Sequence, residues 1–218
     1  MNIICLILAR KGSVRIKNKN LVKIKNKSLV ERSILFSKKI VGLDKIILST
    51  DSQQIIKIGI KHGINSVDLR PENISKSNTS SYKSAIYEIN KYEKKHSKVD
   101  AIILLQPTTP FRSIVTFRKL LKIFLKDPNK PLISIKKINL MSDRLLQKRK
   151  GFVCSFISNK KPSDLYIPSG AFFLVTKKIL FKNKSFTSNK MNFYEIKNTK
   201  ENIDIDTYDD LNIAKKFA

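Results

Sequence analysis

The chain has 218 residues, 41% of them apolar, which suffices for one domain over residues 1–218 with a substantial hydrophobic core. It contains no run of about 18 apolar residues, and its two cysteines, Cys5 and Cys154, are too few and too far apart for a disulfide scaffold or a zinc site. The formal net charge of +27 is compatible with nucleic-acid binding, but the 36 lysines are spread along the whole chain and only 8 arginines accompany them. We therefore expect a cytoplasmic protein with no membrane partner and no nucleic-acid partner.

Strands and helices alternate along the sequence. Short, uninterrupted apolar runs predict buried strands, and amphipathic stretches that follow a serine predict helices with an N-cap. The first half is expected to contain strands at 2–8, 45–49 and 64–68 and helices at 29–39 and 53–62. The second half is expected to contain a helix at about 80–95, strands at 101–105, 131–135 and 170–175, a helix beginning near 114, and a closing helix at 208–217.

This alternation predicts an α/β fold, a Rossmann-like and mostly parallel sheet flanked by helices. Residues 139–169 break the pattern and are expected to form a small β-rich or irregular arm. In open α/β sheets ligands bind at the carboxyl ends of the strands. The polar segments that directly follow the expected strands are therefore the first places to look for a functional site.

The first of these segments is a basic loop, residues 10–20, which follows the first expected strand. It carries Arg10, Ser13, Arg15 and Lys19, and cations beside a Gly-Ser turn suit the oxygens of a nucleoside triphosphate. The loop is not a Walker A motif and contains no GxGxxG. Judged from the loop alone, a solvated basic loop without a ligand is an equally good interpretation.

The second is an acidic segment, residues 203–206, near the end of the chain. Asp204 and Asp206 alternate in an extended stretch, so both carboxylates share one face. Such a pair can bind Mg²⁺, and it stands out in a chain with only 17 acidic residues. Asp209 and Asp210 are assigned to the first turn of the last helix, where they favour the helix dipole. An acidic pair next to a helix cap is the alternative.

Three further segments carry polar groups at strand ends or in loops. Asp51 can orient a ligand or cap the helix that follows it, and Arg70 lies in what is otherwise an ordinary surface loop. Gln106 and Thr108 offer donors and acceptors in a turn made rigid by two prolines, and Arg112 can reach an anion. A rigid turn without a ligand is the alternative for this last segment.

Several of these segments resemble one family in sequence. ARKGSVRIKNKN resembles the A-R-x-G-S-K-x-I-P-x-K-N opening of the CMP-N-acylneuraminate synthetases and their relatives for pseudaminic and legionaminic acids. LQPTTPFR resembles their L-Q-P-T-S-P-x-R signature. STDS, the Arg70–Pro71 pair, SGAFF (for N-G-A-x-Y) and IDID stand in the family's order along the chain.

The resemblance implies a fold like that of nucleotide-diphospho-sugar transferases and a reaction of CTP with a nine-carbon keto-sugar acid, giving a CMP-sugar and pyrophosphate. It implies Mg²⁺ as the cofactor, bound by Asp204 and Asp206, and a homodimer that uses the 139–169 arm. Catalytic roles fall on Arg10, Lys19 and Asp206. Substrate contacts fall on Ser13, Arg15, Asn20, Asp51, Arg70, Gln106, Thr108, Arg112 and Gly170, and Tyr166 and Phe172 are candidates for the sugar pocket.

The chain also departs from the family pattern. Val14 stands where the family has Lys, with Arg15 next to it, and Lys17 stands at a Pro position. Ser77 lies near an expected Asp, and Ser169 replaces the Asn before Gly-Ala. These changes keep other interpretations open: another α/β sugar nucleotidyltransferase, a degenerate homologue, or a non-enzymatic binder of polyanions.

Overall fold

The computed structural model describes residues 1–64, 69–76, 78–138, 146–149, 152–155 and 165–218. Its main element is a six-stranded sheet in the order β10-β6-β9-β5-β1-β4. These strands are β1 (Ile3–Leu8), β4 (Ile46–Ser49), β5 (Ala101–Leu105), β6 (Leu132–Ile138), β9 (Leu165–Thr176) and β10 (Asn192–Glu195). Two small antiparallel pairs accompany it, β2 (Lys23–Ile24) with β3 (Lys27–Ser28), and β7 (Leu146–Arg149) with β8 (Phe152–Ser155).

The sheet is mostly parallel, as the alternation predicted. β1 pairs in parallel with β4 and β5, and β6 pairs in parallel with β10. The exception is β9, which runs antiparallel between β5 and β6. All parallel strands therefore end at the same edge, and this edge carries the functional site.

The described part of the chain contains six α-helices: α1 (Leu29–Ser37), α2 (Gln53–Lys61), α3 (Ser81–Glu93), α4 (Ile114–Lys126), α5 (Lys177–Asn183) and α6 (Tyr208–Lys216). Five of them begin at a Ser or Thr whose hydroxyl accepts a first-turn amide, and Ser28 and Thr207 form full capping boxes. Among the described helices, none is both long enough and apolar enough to cross a membrane.

Burial alternates along the strands and produces a core on each face of the sheet. In β1, Cys5 and Ile7 pack on one face, while Ile4 and Leu6 pack on the other. A third apolar cluster lies beside the site and contains Ile16, Ile24, Leu29, Phe111, Ile205, Leu211 and Ala214. This cluster joins the basic loop, the acidic segment and α6.

The expected elements outside the arm are present within a few residues at each end, except at 64–68. Of that expected strand only Ile64 is described, since residues 65–68 lie outside the described part. The β2–β3 hairpin, α5 and β10 were not predicted. The strand expected at 170–175 begins five residues earlier, and its residues 165–169 belong to the main sheet rather than to the arm. The expected β-rich character of the arm is seen in β7 and β8; the rest of 139–164 lies outside the described residues.

Candidate active site

A polar cavity of about 400 Å³ lies at the carboxyl ends of β1 and β5. Nine of the residues selected from sequence line it: Arg10, Ser13, Lys19, Asn20, Arg70, Gln106, Thr108, Asp204 and Asp206. They come from four separate stretches of sequence. Their convergence follows from the parallel sheet, which brings the ends of distant strands to one edge.

The basic loop is held to the body of the protein at a few points. The carboxylate of Asp51 accepts a 2.6 Å hydrogen bond from the backbone N of Lys11. Within the loop, Asn20 Nδ2 donates to the carbonyl of Arg10 at 2.8 Å and joins its two ends. Ile16 is buried in the third apolar cluster. Asp51 therefore positions the loop and does not line the cavity, and the cap of α2 is provided by Ser52.

Opposite charges meet at Asp206. Lys19 Nζ lies 2.7 Å from Asp206 Oδ1 and also donates to the carbonyl of Ile205 at 3.0 Å, while Arg15 Nη1 lies 3.2 Å from Asp206 Oδ2. The hydrogen bond from Lys19 lowers the pKa of Asp206. Asp206 is therefore ionised at neutral pH, and its half-exposed carboxylate already attracts cations.

Asp204 is more enclosed than Asp206. Burial raises its pKa, a hydrogen bond with Thr108 opposes that rise, and the neighbouring charge of Asp206 adds to it. Its Oδ1 atom is buried and has no hydrogen-bond partner among the described residues. A buried carboxylate oxygen without a partner is costly for the folded protein. That oxygen therefore marks a place where a cation or donor from a ligand would be stabilised.

The acidic segment is fixed at both ends. The backbone N of Ile205 donates to the carbonyl of Thr108 at 2.8 Å, which ties the segment to the turn after β5. The carboxylate of Asp210 accepts from the backbone N atoms of Asp206 and Thr207 at 3.0 and 2.8 Å. Asp210 thus serves the start of α6, as expected. Upstream, buried Glu201 accepts from Ser113 N and Thr116 Oγ1 of α4.

Gly170 lies directly behind the cavity wall. Its φ of +78° is a conformation that side chains disfavour, and a Cβ there would lie 3.1 Å from Gln106 Oε1 and 3.3 Å from Asp204 Oδ2. Gly170 does not line the cavity. What it contributes is space, because only glycine lets β9 approach both side chains this closely.

Arg70 is buried in the cavity wall. Its Nε donates to Ser75 Oγ and its Nη1 to Ser84 Oγ, at 3.2 and 3.1 Å. Burial lowers its pKa, and the nearby charge of Asp51 opposes that effect. Local sequence patterns predicted only an ordinary surface loop here. The expectation that Arg70 belongs to the site came from the family resemblance.

Arg112 and Arg15 do not line the cavity. The Arg112 guanidinium donates to the carbonyls of Ala171 and Gln106 and to the hydroxyls of Ser33 and Thr109. Enclosure lowers its pKa to about 10, so it remains charged at neutral pH. Arg112 was expected to bind an anion, but its guanidinium nitrogens instead donate to acceptors of the protein itself. Arg15 lies at the rim, where it pairs with Asp206.

Other lining residues were not selected from sequence. Lys76, Thr79, Ser81 and Ser84 complete the wall of the cavity on the side of α3. They follow Arg70 in a loop and enter a helix whose first turn faces the strand ends. That position, combined with their polarity, is the signal that could have identified them.

A smaller side cavity of about 210 Å³ adjoins the main one at Ser81 and Gln106. Tyr82, Leu104, Phe173 and Phe186 provide apolar walls, and Lys184 also lines it. Phe172, a candidate for a sugar pocket, is instead fully buried in the core, whereas its neighbour Phe173 faces the side cavity. Tyr166 is partly exposed and lines neither cavity.

A comparison with known families decides where the chain belongs. The model of the cytidylyltransferase family matches residues 4–218. The chain belongs to that family. The family resemblance seen in the sequence motifs is thereby confirmed.

Relatives of this family member cover its whole length at low identity. A CMP-N,N'-diacetyllegionaminic acid synthase of Legionella pneumophila is 28% identical over 100% of this chain and 96% of its own length. A pseudaminic acid cytidylyltransferase of Campylobacter jejuni is 26% identical over 99% of this chain and 95% of its own length. An N-acylneuraminate cytidylyltransferase of Escherichia coli is 26% identical over 97% of this chain, which spans about half (51%) of that relative.

Solved structures share the fold. A CMP:2-keto-3-deoxy-manno-octonic acid synthetase complexed with CTP superposes with a TM-score of 0.71 at 13% identity, covering 100% of this chain and 98% of the other. A 4-diphosphocytidyl-2C-methyl-D-erythritol synthase from Anaerococcus prevotii gives 0.67 at 17% identity, covering 99% and 97%. The expected nucleotidyltransferase fold is thus confirmed.

The departures of this cytidylyltransferase from the family pattern have different structural settings. Val14 is 86% exposed at the tip of the basic loop, next to Arg15. Ser169 is buried within the sheet, in β9, where its hydroxyl donates to Ser134 Oγ at 2.7 Å, and it does not line the cavity. Ser77 lies outside the described residues.

Proposed function

We propose that the protein activates a nonulosonic sugar acid with CTP, giving a CMP-sugar and pyrophosphate. The observation that carries this proposal is the single cavity in which Arg10 and Lys19 face Asp204 and Asp206 at the strand ends. Cations suit a triphosphate and paired carboxylates suit its metal ion. Two relatives matched over nearly their full length, a CMP-N,N'-diacetyllegionaminic acid synthase and a pseudaminic acid cytidylyltransferase, support the substrate class.

The basic loop provides the triphosphate contacts in this proposal. Arg10, Ser13 and Lys19 all line the cavity, and Lys19 is held in place by two acceptors of the acidic segment. Fixed cations stabilise the charge that develops on pyrophosphate as it leaves. Arg15 lies at the rim, from which its flexible side chain can turn from Asp206 towards a phosphate.

Asp204 and Asp206 fit the requirements of Mg²⁺. Mg²⁺ in nucleotide enzymes is bound by one or two carboxylates together with substrate phosphates and waters. Within the described residues no group of three or more His, Cys, Asp or Glu side chains could hold a metal ion, so this pair is the protein's contribution. The unpartnered Oδ1 of Asp204 supports the assignment. When bound, Mg²⁺ would neutralise phosphate charge and favour ionisation of the attacking hydroxyl.

The proposed reaction is a phosphoryl substitution. The anomeric oxygen of the sugar acid forms a bond to the α-phosphorus of CTP, the bond from that phosphorus to the bridging oxygen breaks, and pyrophosphate leaves. The proton of the hydroxyl passes to solvent, because none of the described side chains that line the cavity is an evident general base. The protein contributes positioning and electrostatic stabilisation, as is common for phosphoryl transfer.

The side cavity is the proposed location of the sugar acid. It opens at Gln106, beside the carboxylates, so a sugar in it would present its anomeric hydroxyl to the main cavity. The apolar walls formed by Leu104, Phe173 and Phe186 suit acyl or methyl substituents. Gln106 belongs to both cavities and is placed to orient the two substrates.

We also propose a homodimer that works in the cytoplasm, where CTP is available. Family resemblance supports the dimer, and the β7–β8 pair with the adjoining residues of 139–164 is its proposed contact. Sedimentation of the purified protein tests the oligomeric state.

The test of the proposed function is pyrophosphate release from CTP and Mg²⁺ with a panel of sugar acids. The panel contains N-acetylneuraminic, legionaminic, pseudaminic and 3-deoxy-manno-octulosonic acids, with ATP in place of CTP as the control. We expect release with one nonulosonic acid and CTP only. Release with another nucleotide or sugar would favour a different sugar nucleotidyltransferase. No release and no CTP binding would contradict the proposal and favour a polyanion binder, whose binding should fall steeply with salt.

A further inference from the structure

The turn after β5 contains an unusual concentration of hydrogen bonds. Three donors lie within hydrogen-bonding distance of the carbonyl of Gln106: Arg112 Nη2, the backbone N of Thr109 at 3.2 Å and Thr109 Oγ1 at 3.0 Å. Thr109 is fully buried. A carbonyl oxygen has two lone pairs, so three donors within reach are more than it needs.

The surplus donor connects the turn to β9. Thr109 Oγ1 also lies 3.1 Å from the carbonyl of Gly170, and it accepts from Arg112 Nη2 at 2.8 Å. A hydroxyl has one hydrogen to donate. Since the Gln106 carbonyl is already satisfied by the other two donors, that hydrogen is assigned to Gly170.

Arg112 completes the connection. Its Nε donates to the carbonyl of Ala171 at 2.9 Å and its Nη1 to Ser33 Oγ at 3.2 Å, so one planar guanidinium joins β9, the turn and α1. A lysine has a single ammonium and cannot reproduce this planar fork. The guanidinium also lies over the ring of Phe172, which fixes its plane.

The groups that this network holds are those at the reaction centre. Gly170 lies against Gln106 Oε1 and Asp204 Oδ2, and the carbonyl of Thr108, in the same turn, accepts from the backbone N of Ile205. A displacement of the turn would therefore move Gln106 and the acidic segment together. Neither Thr109 nor Arg112 lines the main cavity.

We propose that Thr109 and Arg112 are positioning residues, which clamp the β5 turn to β9 and thereby hold Gln106 and Asp204 at the distances that the transfer requires. This inference rests on the proposed function for its kinetic consequence, although the clamp itself is a property of the fold. Misplacement of reacting groups by about 1 Å can lower a rate about 100-fold. The clamp acts after CTP is bound, so its loss changes turnover more than affinity.

The test uses Arg112→Lys and Thr109→Val. Arg112→Lys keeps the charge but loses the fork, and Thr109→Val keeps the approximate shape but loses the hydroxyl. We expect kcat to fall about 10- to 100-fold in each, with KM for CTP within about threefold of the wild type. Amide hydrogen exchange should accelerate in peptides covering 106–111 and 203–206. Thr109→Ser, which restores a hydroxyl, should recover most of the lost turnover.

Arg118→Lys is the matched control, because Arg118 is an exposed arginine of α4 outside both cavities. It should behave like the wild type in both measurements. Wild-type kcat in Arg112→Lys and Thr109→Val, a rise in KM for CTP without a fall in kcat, or unchanged exchange at 203–206 would each overturn the clamp. If the wild-type protein itself shows no turnover, the proposed function fails, and the exchange measurement alone decides whether the clamp exists.

Discussion

The two sides of the cavity are built in different ways. The acidic segment is enclosed and bonded at both ends, by Thr108 on one side and by the Asp210 capping box on the other. The basic loop opposite is exposed along much of its length. Its described ties to the body are the bond from Lys11 N to Asp51, the contacts of Arg15 and Lys19 with the acidic segment, and the packing of Ile16. At its tip, Gly12 has no atom within 4 Å of where a side chain would begin, and Val14 is 86% exposed.

Some charges of the site are therefore set in place by folding, and others can adjust to a ligand. Carboxylates in a bonded and partly buried segment cost little to reorganise when a ligand arrives, which is how preorganised sites gain strength. On the loop, an exposed cation such as Arg15 can follow phosphates as they change position, whereas Lys19 is mostly buried and is held by the acidic segment. Substitutions in the acidic segment and in the basic loop should therefore have different effects.

The largest effect is expected on the fixed side, at Asp206. Asp206→Ala removes a carboxylate that attracts both Lys19 and Arg15, and it should lower turnover by about 100-fold or more. Because Asp206 is half-exposed, the thermal midpoint should stay close to that of the wild type. Pyrophosphate release and a thermal melt measure the two quantities.

The control for this change is Asp209→Ala, an exposed acidic residue three positions away in α6. It should leave turnover unchanged. Turnover above a tenth of the wild-type value in Asp206→Ala would contradict the assignment of Asp206 as a Mg²⁺ ligand.

Gly170→Ala should give the next largest effect. The new methyl group would press on Gln106, Thr109 and Asp204, in a backbone conformation that costs about 1–2 kcal/mol for a non-glycine residue. We expect a lower free energy of unfolding together with a fall in kcat of about tenfold or more. Denaturant unfolding and steady-state kinetics provide the measurements.

Gly12→Ala is the counterpart on the open side, to be compared for stability only. Its methyl group meets no atom within 4 Å, so the free energy of unfolding should change by less than about 0.5 kcal/mol. Equal destabilisation by the two substitutions would show that the two sides of the cavity are not built differently.

A smaller effect is expected from releasing the basic loop. Asp51→Ala removes the acceptor of the 2.6 Å bond from Lys11 N and should raise KM for CTP about three- to tenfold, with a lesser change in kcat. Asp51→Asn keeps a side-chain acceptor and should raise KM less. A fall in kcat without a rise in KM would instead show that Asp51 holds a group fixed for the chemical step, as the acidic segment is expected to do.

The smallest effect concerns a region remote from both sides, where α3 meets α5. Burial raises the pKa of Glu93, but hydrogen bonds from Lys177 and Val99 N outweigh it and the net pKa is lowered. The stabilisation is therefore present above the unfolded value of about 4.3 and is lost as the pH falls through the folded value. Glu93→Gln should lower the melting temperature at neutral pH.

The pH series provides the check on this last prediction. The difference in melting temperature between wild type and Glu93→Gln should shrink below about pH 4, since the carboxyl of Glu93 is then protonated. A constant difference across the acidic range would contradict the role given to its charge. Turnover at neutral pH should be unaffected, because Glu93 lies outside both cavities.

The sequence was most informative where a local pattern and a strand end coincided. Arg10 and Gln106 could be grouped in advance because carboxyl ends of parallel strands share one edge. Asp204 follows no strand, and only the family resemblance grouped it with them. The buried strands were found because continuous apolar runs identify them. β10 and α5 were missed, since a four-residue edge strand and a seven-residue lysine-rich helix carry weak periodicity.

The roles of individual side chains were harder to predict than their neighbourhood. Arg112 was expected to meet an anion, yet two of its acceptors, Ala171 and Ser33, lie 59 and 79 positions away in sequence. The antiparallel direction of β9 likewise depends on a long connection whose path no local pattern specifies. Asp51 was expected to contact substrate, whereas in the structure it accepts from the backbone N of Lys11, a partner that has no signature in sequence.

The apolar residues between the charges have a consequence of their own. In the acidic segment Ile205 is fully buried, in the same cluster as Ile16 of the basic loop and Leu211 of α6, and Asp204 and Asp206 flank it. A shift of this segment by one residue would bury a carboxylate and expose the isoleucine. The burial of Ile205 therefore fixes which way the side chains of Asp204 and Asp206 point. Because the same apolar cluster anchors the basic loop, its packing sets the distance between the cations of the loop and the carboxylates of the acidic segment. Salt, which weakens attraction between exposed ions, should leave that distance unchanged.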